Sequence, residues 1–160
     1  MSSKDSSRRN KILFICTHNS ARSQMAEGLV NYFFKDTWIA ESAGTEKTSV
    51  KTLAIESMKE IGIDISHHES KFITGFQQQM FDVVVTVCDS AKEACPFFPG
   101  KIVIHAPFTD PSDYIGSHDE ELDAFNKIRD HIQRWLENNL PELDKQIRKS
   151  HGTQDQRKQY

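Results

Sequence analysis

Residues 11–28 read KILFICTHNSARSQMAEG, and this stretch decides the fold. Its first part, residues 12–15, is a continuous apolar run of the kind that forms a strand buried on both faces of a sheet. Met25, Leu29 and Phe33 follow at helical spacing. The pattern predicts a strand that leads into a helix through a short loop.

That loop, residues 16–22, begins with Cys16 and ends with Arg22. Backbone N–H groups of such a loop, together with the helix N-terminus behind it, form a site for a tetrahedral oxyanion. Arg22 can donate two parallel hydrogen bonds to the anion, and the same positive groups favour the thiolate form of Cys16. We therefore predict a nucleophilic cysteine aimed at a bound oxyanion, with a half-buried core cysteine beside a capping arginine as the alternative. The residues expected to bind this substrate are Thr17, His18, Asn19, Ser20, Ala21, Arg22 and Ser23.

The length of 160 residues predicts one catalytic domain, residues 11–147, between disordered tails at 1–10 and 148–160. The net charge of −3 divides into an acidic body and two short basic tails, which argues against nucleic acid as a partner. No stretch reaches the ~20 apolar residues of a membrane span, and the N-terminal residues lack an apolar signal segment. We therefore expect a cytoplasmic protein that does not contact membranes. We also expect a monomer, although this expectation does not follow from the residues.

Only three cysteines occur, at positions 16, 88 and 95. So small a set does not suggest a structural disulfide framework in a reducing compartment. A zinc site is not indicated either, because the chain has no Cys-x-x-Cys pair with a histidine cluster. We expect no cofactor.

Strand patterns recur further along the chain, at residues 37–44, 81–87 and 101–106. Helical patterns lie between and after them, at residues 49–61, 66–79 and from 117 onward. This alternation predicts an α/β three-layer sandwich, in which a four-stranded parallel sheet carries helices on both faces. Ligands of such sheets bind beyond the carboxyl ends of the strands, which is where Cys16 lies.

Two of the helical patterns begin with a serine and a glutamate three positions apart, at residues 66–69 and 117–120. This spacing indicates a capping box at each start. Pro141 is expected to end the last helix. His67 and His68 could act as ligands or acid–base groups, but a polar turn is the preferred interpretation.

Cys88 follows the strongest strand pattern, and Cys95 comes seven positions later, just before Pro96. The residues between them are good helix formers, and seven helical residues rise about 10.5 Å, whereas a disulfide needs Cα atoms within ~7 Å. These two thiols can therefore pair only if the segment unwinds. Cys88 also ends a strand that we expect beside the one that ends at Cys16, so a relay through the three sulfurs is possible. The alternative is that Cys88 and Cys95 are small buried hydrophobic residues.

Taken together, these features resemble the low-molecular-weight protein tyrosine phosphatases, and more closely the thioredoxin-coupled arsenate reductases of the same fold. The resemblance covers about residues 10–140, and its motifs are the loop, residues 24–28 and 42–44, the Cys88/Cys95 pair and Asp110-Pro111. The phosphatases lack the paired downstream cysteines and typically carry a tyrosine after the Asp-Pro, where this chain has Ser112. The arsenate reductases carry all three cysteines.

The resemblance implies a role for several side chains. Asp110 is the general acid that protonates the leaving oxygen, although an Asp-Pro pair could also simply start a turn, and Asp113 is the weaker alternative acid. Asn19 holds the loop conformation, Ser23 favours the thiolate of the nucleophile, and Arg22 binds the oxyanion.

Some members of this reductase family bind a potassium ion near the loop, through groups that correspond to Asn19, Glu27 and Ser42. The pattern departs at Lys71, where the resemblance implies an acidic ligand. We hypothesise that the Lys71 ammonium substitutes for the cation, which predicts potassium-independent activity.

The function implied is arsenate reduction in arsenical resistance. Cys16 attacks arsenate, Cys88 attacks Cys16 as arsenite leaves, and Cys95 takes over the disulfide, which thioredoxin reduces. Glutaredoxin or a small thiol is the alternative reductant. A tyrosine phosphatase is the first alternative function, and it would be indifferent to loss of Cys88 or Cys95. A phosphocarrier or anion sensor that uses Cys16 as acceptor is the second, and the Asp110 loop argues against it.

Overall fold

The computed structural model describes residues 8–89 and 97–157. Within these ranges, parallel strands form one sheet in the order β2-β1-β3-β4. The strands are β1 (Asn10–Ile15), β2 (Trp38–Ala43), β3 (Val83–Thr86) and β4 (Ile102–His105). β1 and β3 occupy the centre because their apolar runs can be buried on both faces. The four-stranded parallel sheet is as predicted.

In the described ranges, three α-helices accompany the sheet: α1 (Arg22–Phe33), α2 (Thr52–Glu60) and α3 (His118–Arg157). The same ranges contain two short 3₁₀ helices in the connections, Ile73–Phe76 and Pro111–Asp113. None of the helices in the described ranges combines the length and the apolar composition that a bilayer crossing demands.

Successive residues of the central strands β1 and β3 face two different cores. The first core lies between the sheet and the three α-helices, and it contains Ile12, Phe14, Met25, Met58 and Phe125 among others. The second lies on the opposite face and contains Leu13, Ile15, Phe76, Phe81 and Phe98. Helical structure thus covers both faces, which confirms the predicted fold class, although the described helix on the second face is a single 3₁₀ turn.

One of the two predicted capping boxes is formed. Glu120 N–H donates to Ser117 Oγ at 3.2 Å, and Ser117 N–H donates to a Glu120 carboxylate oxygen at 3.3 Å. At the other, Ser66 N–H donates instead to Asp64 Oδ1 at 2.8 Å, which closes a turn. The following histidines therefore lie in and after a turn, as preferred from the sequence.

The helix predicted over residues 66–79 is wrong. Here the chain pairs with the end of β2: Gly44 N–H donates to Lys71 O at 2.9 Å, and Ile73 N–H donates to Gly44 O at 2.8 Å. A helix would need the same backbone groups for its own hydrogen bonds. Pairing at the sheet edge therefore excludes the helix, and only the 3₁₀ turn at Ile73–Phe76 remains.

α3 does not end at Pro141, as predicted, but continues through it to Arg157. A proline inside a helix costs about 3 kcal/mol. Beyond the proline, however, the helix buries Leu143 and Ile147 in the first core. Full burial of each aliphatic side chain contributes about 1.5–3 kcal/mol, so burial offsets the cost of the proline.

The observed elements cross both predicted ends of the catalytic domain. β1 already begins at Asn10, whose buried side chain donates from Nδ2 to Asp144 Oδ1 at 2.8 Å. At the other end, α3 passes residue 147. The extent of the domain and of its tails stays a prediction.

Replacing Pro141 by alanine should stabilise the protein, because alanine restores a backbone N–H in the helix and removes the clash of the ring. We expect the free energy of unfolding to rise by about 1–3 kcal/mol and Tm by roughly 3–10 °C, measured by thermal and urea unfolding. Glu142→Ala, at the exposed neighbouring position, is the control and should stay within about 0.5 kcal/mol of the parent. A Pro141→Ala protein less stable than the parent would contradict this account.

Candidate active site

The oxyanion loop, residues 16–22, directs its carbonyl groups outward. Among them, Thr17 O accepts from Thr45 N–H (3.0 Å), His18 O from Ser70 Oγ (3.1 Å) and Ser20 O from Lys51 N–H (2.8 Å). In a planar trans peptide the N–H points away from the C=O, so the N–H groups that follow these carbonyls point to the inner side. In front of the N-terminus of α1, such N–H groups form an anion site.

Gly44 is needed because the loop passes directly over it. A Cβ at this position would lie 2.7 Å from the carbonyl oxygens of Cys16 and Thr17 and 3.0 Å from the backbone nitrogen of Asn19. These are backbone atoms, which cannot move without distorting the loop. The loop backbone therefore packs directly against Gly44, at the end of β2.

Asn19 fixes the shape of the loop. Its backbone φ is 49°, a left-handed conformation that asparagine adopts more readily than most residues. Its buried Oδ1 accepts from Gln24 Nε2 at 2.9 Å and Lys71 N–H at 2.8 Å, while Nδ2 donates to Ser23 Oγ at 2.8 Å. Ser23 Oγ lies 2.9 Å from Cys16 Sγ. Because Ser23 accepts from Asn19, its own hydrogen can point at the sulfur, the direction that stabilises a thiolate.

Arg22 and Asp110 meet at the mouth of the loop. The guanidinium is buried and donates from Nη1 to Phe108 O at 3.1 Å, and its Nη2 lies 3.5 Å from Asp110 Oδ2. The other Asp110 oxygen accepts from Ser112 N–H at 2.9 Å and caps the 3₁₀ helix Pro111–Asp113. The segment after β4 thus brings the predicted acid beside the predicted anion-binding arginine.

Cys16 and Cys88 follow neighbouring strands, since β1 pairs with β3. Both side chains are buried, at 2% and 0% exposure, and both belong to the first core. Cys16 is a free thiol, whereas Cys88 is disulfide-bonded. The third cysteine of the predicted relay, Cys95, and the helix predicted around it lie outside the described residues.

A second buried network joins the loop to α1. Gln24, which donates to Asn19, has its Oε1 3.0 Å from His68 Nδ1, and the same nitrogen lies 3.0 Å from Glu27 Oε2. Both oxygens can only accept, so Nδ1 of His68 carries the hydrogen. The ammonium of Lys71 lies 3.1 Å from Glu27 Oε1.

The ion pair in this network shifts the pKa values of both of its partners, Glu27 and Lys71. Burial alone would raise the pKa of Glu27, but the hydrogen bond from His68 and the charge of Lys71 outweigh it, and the pKa falls below its ordinary 4.5. Burial alone would lower the pKa of Lys71, but the charge of Glu27 and the hydrogen bond to Glu41 raise it above 10.5. At neutral pH the pair is therefore a carboxylate and an ammonium.

Residues 11–150 match the family of low molecular weight phosphotyrosine protein phosphatases. The chain belongs to this family. Within it, an arsenate reductase of Halalkalibacterium halodurans is 43% identical over 126 residues, which cover 78% of this chain and 91% of that protein. The resemblance to arsenate reductases inferred from the cysteines is thereby confirmed.

Solved structures of the family give the same result. The structure of an arsenate reductase in its oxidized state matches with a TM-score of 0.70 and 29% identity, over 84% of this chain and 98% of the other. A thioredoxin-dependent arsenate reductase of Corynebacterium glutamicum matches with a TM-score of 0.61 and 25% identity, over 86% of this chain and 65% of the other.

Sequence reasoning missed the role of Gln24 and of His68. Gln24 did leave a signal, because it and Glu27 are polar residues one helical turn apart inside a segment of α1 that is buried throughout. Glu41 left none, and nothing in the sequence indicated that His68 would meet Glu27. They reach the network through a turn and an edge strand, and only the tertiary structure brings those elements together.

Gly44→Ala should weaken oxyanion binding, because the added methyl group displaces the backbone of the loop. We expect the affinity for inorganic phosphate, measured by titration calorimetry, to fall at least about tenfold, which corresponds to roughly 1.4 kcal/mol. The control is Gly75→Ala, since a Cβ at Gly75 meets nothing within 4 Å. Equal phosphate affinities for the two variants would contradict the proposed contact.

Proposed function

We propose that this protein reduces arsenate to arsenite through a relay of Cys16, Cys88 and Cys95. One observation carries the proposal: a free, buried Cys16 opens the oxyanion loop, and a disulfide-bonded Cys88 follows the adjacent strand. Hydrolysis of a phosphate ester needs only the first of these cysteines. A disulfide-bonded cysteine after the strand that neighbours β1 supports reduction, as does the 43% identity to an arsenate reductase.

Arsenate is a tetrahedral oxyanion, and the loop supports its binding through the inward N–H groups and Arg22. The guanidinium is fixed in place by Phe108 O, so it is oriented before the substrate arrives. Backbone donors held in this way do not need to reorganise when negative charge develops on the oxygens.

The chemical steps follow from the positions of the sulfurs and of Asp110. The Cys16 thiolate attacks arsenic, and Asp110 gives a proton to the departing oxygen, which leaves as water. The Cys88 thiol then attacks the Cys16 sulfur. The sulfur–arsenic bond breaks, its electron pair stays on arsenic, and arsenite is released. Two thiols have become one disulfide, and arsenic has gained two electrons.

The disulfide must then leave the active site before another turnover. In the proposal Cys95 attacks Cys88, which frees Cys16 and leaves a Cys88–Cys95 disulfide. The free Cys16 and bonded Cys88 of the structure support this assignment as the oxidised form at the end of the relay. A thioredoxin dithiol in the cytoplasm is the proposed reductant, and it returns both cysteines to thiols.

Serine variants of the three cysteines should fail at three different points, as measured by arsenate-dependent NADPH oxidation with thioredoxin and its reductase. Cys16→Ser should release no arsenite, because no adduct forms. Cys88→Ser should not turn over, because no thiol displaces arsenite from Cys16. Cys95→Ser should release about one arsenite per enzyme and stop with a Cys16–Cys88 disulfide, which mass spectrometry detects.

Hydrolysis of para-nitrophenyl phosphate is the control reaction for this series. It should need Cys16 and be indifferent to Cys88→Ser and Cys95→Ser, because the loop alone suffices for it. If the parent protein hydrolysed this ester rapidly and consumed no NADPH with arsenate, it would be a phosphatase rather than a reductase.

Asp110→Asn should slow the formation of the arsenic adduct by about 10²–10⁴-fold, because the amide keeps the shape of the carboxyl group but has no proton to give. The measurement is the single-turnover rate of arsenite release, with phosphate affinity as a check that the loop is intact. Asp113→Asn, in the 3₁₀ helix that Asp110 caps, is the matched control and should keep the parent rate. A slow Asp113→Asn beside a normal Asp110→Asn would assign the acid to Asp113.

A further inference from the structure

Lys71 lies where the chain joins the edge of the sheet, directly below the oxyanion loop. Its backbone N–H donates to Asn19 Oδ1 at 2.8 Å, and its carbonyl oxygen accepts from Gly44 N–H at 2.9 Å. The backbone of Lys71 is therefore tied both to the residue that shapes the loop and to the glycine on which the loop rests.

The side chain of Lys71 connects two more elements. Its ammonium nitrogen lies 3.1 Å from Glu27 Oε1 and 2.9 Å from Glu41 Oε2. Glu27 belongs to α1, in the layer of the first core. Glu41 belongs to the edge strand β2 and pairs in register with Leu13, so it faces the second core. The Lys71 ammonium thus pairs with two carboxylates, Glu27 and Glu41, which lie on opposite sides of β2.

The oxygens that would hold a potassium ion already have partners. Asn19 Oδ1 accepts from Gln24 Nε2 and from Lys71 N–H, which uses both of its lone pairs. Glu27 Oε1 accepts from Ser42 Oγ at 3.0 Å and from the ammonium of Lys71. A second cation would also be repelled by this ammonium. Asn19, Glu27 and Ser42 therefore do not fit the potassium site that the resemblance implied.

We propose that Lys71 is a positioning residue, whose tethered ammonium supplies the positive charge that a bound monovalent cation would otherwise bring to the oxyanion loop. The inference rests on the proposed function only in requiring that the loop binds an oxyanion. It does not depend on the electron relay.

The charge matters because Glu27 is a buried carboxylate near a loop that must accept an anion. Without a counter-charge the carboxylate would be costly to bury, and it would draw its hydrogen-bond partners out of place. Glu27 reaches the loop through His68 and Gln24, so a disturbance there is transmitted to Asn19.

The first test compares the parent protein with Lys71→Met in potassium, sodium or choline chloride at one ionic strength. The parent should show the same Tm and the same affinity for inorganic phosphate in all three salts. Lys71→Met keeps the length of the side chain but loses the charge, so it should bind phosphate about tenfold more weakly and unfold at a lower temperature. Both readouts are independent of arsenate reduction.

The second test places a carboxylate where the ammonium was. Lys71→Asp leaves three carboxylates without a counter-charge, so its Tm should be about 3–5 °C higher in potassium chloride than in choline chloride. Lys47→Asp makes the same change of charge at an exposed position near the loop and should show no such difference.

Two results would overturn the proposal. One is a parent protein whose Tm or phosphate affinity rises in potassium over choline, because a site for the cation would then still exist. The other is a Lys71→Met protein whose phosphate affinity matches that of the parent, because the ammonium would then position nothing in the loop, whatever its effect on Tm. Both can be read even if Lys71→Asp does not fold. A failed arsenate assay, in contrast, would affect only the proposed reduction.

Discussion

The buried side chain of Asn19 is the constraint on which the rest of the active site depends. The oxyanion loop can direct its N–H groups inward only if its backbone makes a left-handed turn, and the four hydrogen bonds of Asn19 and its neighbours hold that turn. Asn19 is fully buried, so water cannot replace any of these partners. A buried polar group left without a partner costs about 1–3 kcal/mol, which makes the arrangement an all-or-none unit.

The main elements of the fold could be predicted because local and tertiary preferences agree there. The apolar residues of β1 favour a strand locally, and the same residues are buried in the two cores. The helical spacing that follows likewise favours α1 and places its buried apolar residues in the first core. Prediction failed where tertiary structure outweighs local preference. Residues 66–69 have the spacing of a capping box, yet the backbone of the following residues forms hydrogen bonds with the end of β2 and not within a helix. Pro141 is a local stop signal, yet buried side chains on both sides of it keep α3 intact.

The residues of the candidate site differ in the same way. Cys16, Arg22 and Asp110 are recognisable from the sequence because they lie in the segments that follow predicted strands. Parallel strands bring the carboxyl ends of these strands to one edge of the sheet. The supporting residues could not be found in this way. His68 meets Glu27 across 41 positions of sequence, in a turn whose course is set by the sheet edge. In the sequence, Lys71 is only a departure from a family pattern, because its two carboxylate partners are brought to it by the fold.

The oxyanion loop can serve either hydrolysis or reduction, and the group that attacks the adduct on Cys16 decides which reaction follows. Water must attack in hydrolysis, whereas a second thiol attacks in the proposed reduction. Cys16 and Cys88 are both buried in one apolar core, which disfavours the entry of water. The same burial would keep the resulting disulfide away from a protein reductant. A relay therefore needs a third cysteine that can carry the disulfide outward, and three is the smallest number of thiols that meets both demands.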